Sequence, residues 1–294
     1  MVFSDRRVKF ALLSIISNTI LIAFKVIAGF LSGSVSIISE AIHSGMDLAA
    51  SLVAFFSVRE SSKPADREHP YGHGKIENVS GVIEGLLIFA AAIMILKEAG
   101  KKLFEPVEIE QASVAIAVML AAALINYVVS RKLYKVSQEE DSMALEADAL
   151  HLKTDVYTSL GVGIGIILIK VTGILVLDSI VAIVVACLII KEAWELTGNA
   201  FDYLMDARLS EREVEDIMAI LERHSHQFAD YHKLKTRKSG NLKHIDFHLT
   251  MDPDLTVKES HEIIGSLKKE MSDKFKNTRV SIHIDPYKDK NDEN

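Results

Sequence analysis

Cysteine is nearly missing from this chain. Cys187 is the one example among 294 residues, and it lies inside an apolar run, so an intrachain disulfide is impossible and a thiolate-held metal cluster is excluded. An excess of positive charge is missing too. The formal net charge is −7 and nothing resembles a basic nucleic-acid stripe, which argues against nucleic acid as a partner. Any metal bound here must be held by histidine and carboxylate.

What the chain does have is 49% hydrophobic residues beside 25% charged ones, a mixture that implies two unlike parts. Apolar stretches crowd the first two thirds: Phe10 to Phe30, Val35 to Val58, Val79 to Leu96, Val114 to Val129, Leu145 to Leu168 and Ile174 to Ile190. Each is close to the ~20 residues that cross a bilayer, which predicts six transmembrane helices. The first stretch exceeds a signal-peptide core, ends in GFLSGS without a clean small-x-small cleavage pattern, and is followed by five more, so it reads as a retained helix. Arg6, Arg7 and Lys9, then Arg59, Lys63, Arg67 and Lys75, then Arg131, Lys132 and Lys135 fall on one side of this arrangement. Lys97, Lys101, Lys102 and Lys170 fall on the other. The bias places both termini in the cytoplasm.

After Trp194 the pattern becomes charged and periodic. Val214, Ile217, Met218 and Leu221 recur at helical spacing behind a Ser210–Glu213 capping signal, and Thr256 to Phe275 is a second amphipathic helix. Tyr231 to Lys238, Leu242 to Met251 and Arg279 to Asp285 read as strands, the first two joined by a tight turn at Ser239, Gly240 and Asn241. The order αββαβ predicts a small α/β domain with its helices on one face of the sheet. Alternation sends Ile245, Phe247, Leu249, Val280, Ile282 and Ile284 to one face. His244, Asp246, His248, Ser281, His283 and Asp285 go to the other, which is either a solvated face or a metal site. Residues 1–207 form the expected membrane domain and 208–294 the expected cytoplasmic one.

Two pairs with identical spacing stand out in the apolar part. His43 and Asp47, in AIHSGMD, and His151 and Asp155, in ALHLKTD, are each four residues apart, so each pair shares a helix face. A lone histidine in a membrane helix can be a packing residue, but ionisable groups there are expensive and usually functional. If the second and fifth helices face each other, two nitrogens and two oxygens can surround one cation, a set that suits tetrahedral Zn²⁺ better than Mg²⁺. Asp66, His69 and His73 lie in a loop, PADREHPYGHGK, where spacing alone is a weak metal signal. Glu40 and Glu84 lie within spans and either line a watered path or bond between helices; Asn18, Asn126 and Asp178 read as interhelical contacts.

Six spans, HxxxD in the second and again in the fifth, the DxxHxxxHGKxE loop and a tail ending in IHIDP together resemble the cation diffusion facilitator family over nearly the whole chain. The resemblance implies an α-helical membrane protein with six transmembrane helices and a small, metallochaperone-like αββαβ domain. It implies a homodimeric, proton-coupled exporter of divalent metal in the bacterial inner membrane, multi-pass and in contact with lipid, a secondary transporter and not an enzyme. By the family pattern, the transport site is His43, Asp47, His151 and Asp155, with histidine at the first position pointing to Zn²⁺ as substrate and regulatory ligand and protons as counter-ion. The loop site is Asp66, His69 and His73. The tail site is His232, His248, His261, His283 and Asp285, and Lys75 with Asp206 forms a charge interlock at the dimer. The fourth-to-fifth connection, KVSQEEDS, lacks the His-rich insert of many eukaryotic members. A membrane metalloenzyme is the rival reading, weakened by four ligands that close the site and by the absence of HExxH; a channel or metal sensor is the other.

Overall fold

The computed structural model describes residues 5–32, 35–104 and 113–287, less the side chains of 32, 35–40, 42, 43, 46, 113–116, 166 and 170. The chain divides into two units, Met1–Phe201 and Asp202–Asn294.

The first unit is made of long helices: α1 Arg6–Ser32, α2 Val35–Ser61, α3 Lys75–Phe104, α4 Ser113–Glu140, α5 Met143–Thr172 and α6 Val176–Leu204. The shortest has 27 residues, longer at about 1.5 Å per residue than a ~30 Å hydrocarbon core. Among the described residues, four stretches are both long and apolar enough to cross a membrane: Arg6–Leu31, Lys75–Phe104, Ala117–Glu140 and Met143–Ile169. Helix α6 is interrupted by Asp178 near its start and by Lys191, Glu192 and Glu195 further on. Much of the first half of α2 lies outside the described side chains. Large apolar side chains such as Phe30, Leu31, Met94 and Trp194 point outward, as a lipid-facing surface requires.

Inside the bundle, α1 packs on α2, α4 on α5, and α5 also on α3 and α2. Helix α6 closes against α3 and α5 through glycines spaced four apart. A Cβ at Gly81 would lie 2.7 Å from Met143 Cγ of α5 and 3.2 Å from Ala200 Cβ of α6, and one at Gly161 would lie 3.0 Å from Val185 Cγ2. Gly85 meets Thr197 and Gly165 meets Asp178 in the same way. Small residues at this spacing let membrane helices approach backbone to backbone.

A buried ionic knot joins four helix ends. Glu77, fully buried at the start of α3, accepts from Arg7 Nη1 at 2.5 Å, from Ser61 Oγ at 2.6 Å, and from Ser142 Oγ. Ser142 is the N-cap of α5, so the knot fixes the entry of the helix that carries His151 and Asp155. Arg7 is further held by Asp5 at 2.7 Å and Ser62 at 3.0 Å.

The second unit contains α7 Glu211–Arg223, β1 Asp230–Ser239, β2 Leu242–Met251, α8 Val257–Lys274 and β3 Thr278–Pro286. Reciprocal capping boxes start both helices, at Ser210 with Glu213 and at Thr256 with Glu259. The sheet order is β1-β2-β3, with β1 antiparallel to β2 and β3 parallel to β2 through the α8 crossover. Gly240, with φ of +59°, turns the β1–β2 hairpin. Ile245, Phe247 and Leu249 bury against Ile217 and Leu221 of α7 and Leu267 and Met271 of α8. The expected αββαβ order and the split between an apolar and a polar sheet face are both present.

Candidate metal centres

Three clusters bring histidine nitrogen and carboxylate oxygen together within 4.8 Å of one another: Asp47 with His151 and Asp155, Asp66 with His69 and His73, and His232 with His248 and Asp285.

The first lies inside the helical unit. Helices α2 and α5 do face each other, and His151 Nε2 stands 3.2 Å from Asp47 Oδ1 across them. One helical turn further along α5, Asp155 Oδ2 accepts from Asn126 Nδ2 of α4 at 3.3 Å. The side chains of Asp47 and His151 are only 8% and 15% exposed, so any ion held here has been stripped of most of its water. His43, the fourth predicted member, and Glu40 lie outside the described side chains. Asn126 makes the expected interhelical contact, and its partner is a member of the cluster.

Of two buried acids in this unit, Glu84 was singled out from sequence with two readings left open, and Asp148 was not. Asp148, fully buried on α5, accepts from Ser14 of α1 and Ser51 of α2 at 3.1 Å each; its position three residues before His151 was the available signal. Glu84 is also fully buried and accepts from Ser80 at 3.1 Å. Asn18 donates to Ser51 at 2.6 Å, an interhelical contact as expected.

The loop cluster is wetter. Asp66 Oδ1 is 3.3 Å from His69 Nδ1 and Oδ2 is 3.4 Å from His73 Nε2, with the two rings 4.4 Å apart. The backbone N–H of His69, at 2.6 Å, and then that of Glu68, at 3.0 Å, hold the Asp66 carboxyl below the usual carboxylate range. Such a carboxylate stays ionised and available to a cation.

The third cluster is set by strand register. His232 on β1 pairs with His248 on β2, which pairs with His283 on β3, so three imidazoles form a row across the open face. Asp285 gathers them: its Oδ2 is 2.8 Å from His248 Nδ1 and 3.1 Å from His232 Nε2, while Oδ1 is 3.3 Å from His283 Nε2. The hydrogen bond from His248 is the first cause that keeps the Asp285 carboxyl low. A bulge between His232 and Lys235, with Lys233 at φ +53°, keeps both of those side chains on this face. His261 is exposed on α8 and stands outside the gathered group. Lys75 is the first residue of α3, and Asp206, in the second unit, accepts from Arg237 at 3.2 Å.

A multi-pass helical domain with an imidazole–carboxylate cluster in its interior, followed by a small α/β domain carrying another, defines a membrane protein that handles divalent cations. The chain belongs to the cation efflux family. The cation efflux transmembrane domain matches residues 11–205, and the cation efflux protein cytoplasmic domain matches residues 209–287. An uncharacterized transporter of Synechocystis sp. is 33% identical over 280 residues, covering 95% of this chain and 90% of that one. The manganese efflux system protein MneP of Bacillus subtilis is 32% identical, covering 95% and 96%. The cation-efflux pump FieF of Shewanella oneidensis is 28% identical, covering 93% and 92%. The protein is thus a divalent-cation efflux transporter and not an enzyme.

Proposed function

We propose that this protein exports Zn²⁺ from the cytoplasm in exchange for protons, by alternating access of a site built from His43, Asp47, His151 and Asp155. The convergence of Asp47, His151 and Asp155 within 4.8 Å, between α2 and α5, carries the reading. Their donors are one imidazole and two carboxylates, and His43 would add a second imidazole from one turn away on α2, completing a set that suits tetrahedral zinc. Metal binds when the histidines are neutral and the aspartates ionised, so protons and metal compete for the same groups. An inward proton gradient then both displaces the ion on the far side and resets the carrier.

In this reading six helices span the inner membrane, both termini are cytoplasmic, and the protein works as a homodimer. Asp66, His69 and His73 form a loop metal site. His232, His248, His261, His283 and Asp285 form a regulatory one, and Lys75 with Asp206 ties charges near the membrane surface. Zinc in the tail domain biases transport in so far as it binds one conformation more tightly than the other.

Manganese is the second reading, favoured by the 32% identity to MneP. The deciding experiment reconstitutes the protein in vesicles and follows Zn²⁺, Mn²⁺, Cd²⁺ and Fe²⁺ under an imposed pH gradient, beside His43→Asp. Zinc moving with the gradient, and a broader metal range in the variant, is the expected result. Manganese moving while zinc does not would replace the zinc assignment; flux indifferent to the gradient would remove the exchange.

A further inference from the structure

Two acids of the membrane unit have no part in holding metal in the reading above. Glu84 on α3 and Asp148 on α5 are both wholly buried. One oxygen of each is occupied: Ser80 donates to Glu84 Oε1, and Ser14 and Ser51 donate to Asp148 Oδ1, at 3.1 Å in all three cases. The other oxygen of each, Glu84 Oε2 and Asp148 Oδ2, is shut away from solvent and meets no donor.

An ionised carboxylate left in that condition is among the costliest groups a protein interior can hold. A protonated carboxyl is neutral, keeps its carbonyl oxygen for the serine hydroxyls, and reduces the loss at the second oxygen to one unmade hydrogen bond. Of the charged groups around them, Asp148 and His151 act on Glu84, and His151 acts on Asp148. The serines that face Asp148 from α1 and α2 are uncharged, and Asp47 of α2 lies against His151. The two carboxyls therefore share one low-dielectric space with the metal cluster without belonging to it.

We propose that Glu84 and Asp148 are proton-binding groups of the transporter, separate from the metal ligands, and that both carry protons in the arrangement seen here. This rests on the proton-exchange reading. A dication arriving at Asp47, His151 and Asp155 brings positive charge into the same interior and favours the ionised form of both acids. The O–H bond then breaks, the electron pair stays on the carboxylate, and the proton leaves to solvent; departure of the metal reverses the step. Charge entering as metal is offset by charge leaving as protons, without competition for the ligand atoms themselves.

The test uses the full chain, with Zn²⁺ as probe, or Mn²⁺ if that is the ion the flux assay finds carried. Protons released per ion bound are counted by calorimetry in buffers of different ionisation enthalpy, for the wild type, Glu84→Gln and Asp148→Asn. Flux with and without a pH gradient is then recorded in vesicles. Each variant is expected to bind the ion in wild-type stoichiometry, release fewer protons per ion, and lose much of the acceleration by the gradient. Proton release and gradient response equal to wild type in both variants overturn the assignment while leaving exchange intact. A wild type that ignores the gradient overturns the exchange reading itself, and the assignment with it. The acids lie on different helices, so if one variant misfolds on size-exclusion chromatography the other decides.

Discussion

Two of the clusters share a chemistry and differ in what surrounds it. Asp47, His151 and Asp155 sit between helices with little solvent contact, and neighbouring helices supply hydrogen-bond partners such as Asn126. His232, His248 and Asp285 stand on the open face of a sheet, their side chains 28% to 35% exposed, the two histidines brought opposite each other by strand register and Asp285 in contact with both. The contrast separates two ways of placing ligands. On the sheet, the backbone ladder does the positioning and water covers whatever charge the metal leaves behind. Between the helices, every charge needs a partner or a proton, so the site reaches outward into a wider polar interior. The same rule governs structural charges: Arg7 and Glu77 are buried and knotted, whereas the tail's ion pair of Lys274 with Asp216 is a surface contact at 2.8 Å.

The largest effect that tests this contrast is on transport. Asp155→Ala should reduce vesicle flux to background, while His248→Ala should keep flux at saturating metal and lower only the number of ions bound per chain by equilibrium dialysis. Equal loss of flux in both would erase the distinction. Next comes stability. Glu77→Ala takes from buried Arg7 one of its two carboxylates and from Ser61 and Ser142 their acceptor, and should cost about 3–5 kcal/mol, whereas Asp216→Ala should cost at most about 1 kcal/mol. Thermal unfolding of the two variants in the same detergent measures the gap, and near-equal losses would show that burial is not what sets these charges apart.

The smallest effect is a pH dependence confined to the tail. Arg223 first, and then His224, hold the Glu270 carboxyl below its ordinary value of 4.5. A lowered carboxylate contributes stability that is present above its unfolded value and is lost as pH falls through its folded one. Acidification below pH 4.5 should therefore lower the unfolding temperature of the wild type more steeply than that of Glu270→Gln. Parallel curves would remove this contribution.

Much of the arrangement was legible because it depends on short periods. Four-residue spacing placed His151 and Asp155 on one face of α5, and alternation along LKHIDFHLTM placed His248 opposite Phe247. The capping box at Ser210 was readable from three residues. The knot at Glu77 was not, because Arg7 lies 70 residues before it and Ser142 lies 65 after it; their meeting is a property of helix packing that no local pattern encodes. Asn126 beside Asp155 was hidden for the same reason. The bulge at Lys233 was missed because a left-handed lysine carries no signal of its own, although it decides where the strand's next side chains point. Length and apolarity, which suggested six spans, single out four stretches among the described residues: the charges of α6 interrupt its apolar run, and much of the first half of α2 lies outside the described side chains.

The glycines that line α3 and α5 where they meet α6 have a mechanical side. Interlocked ridges resist both separation and slippage, because a displaced knob must climb out of its hole. Gly81, Gly85, Gly161 and Gly165 are holes of this kind: Ala200, Thr197, Val185 and Asp178 of α6 sit over them, so α6 is keyed to both neighbours and a bulkier residue at any of the four must turn the key aside or push α6 outward.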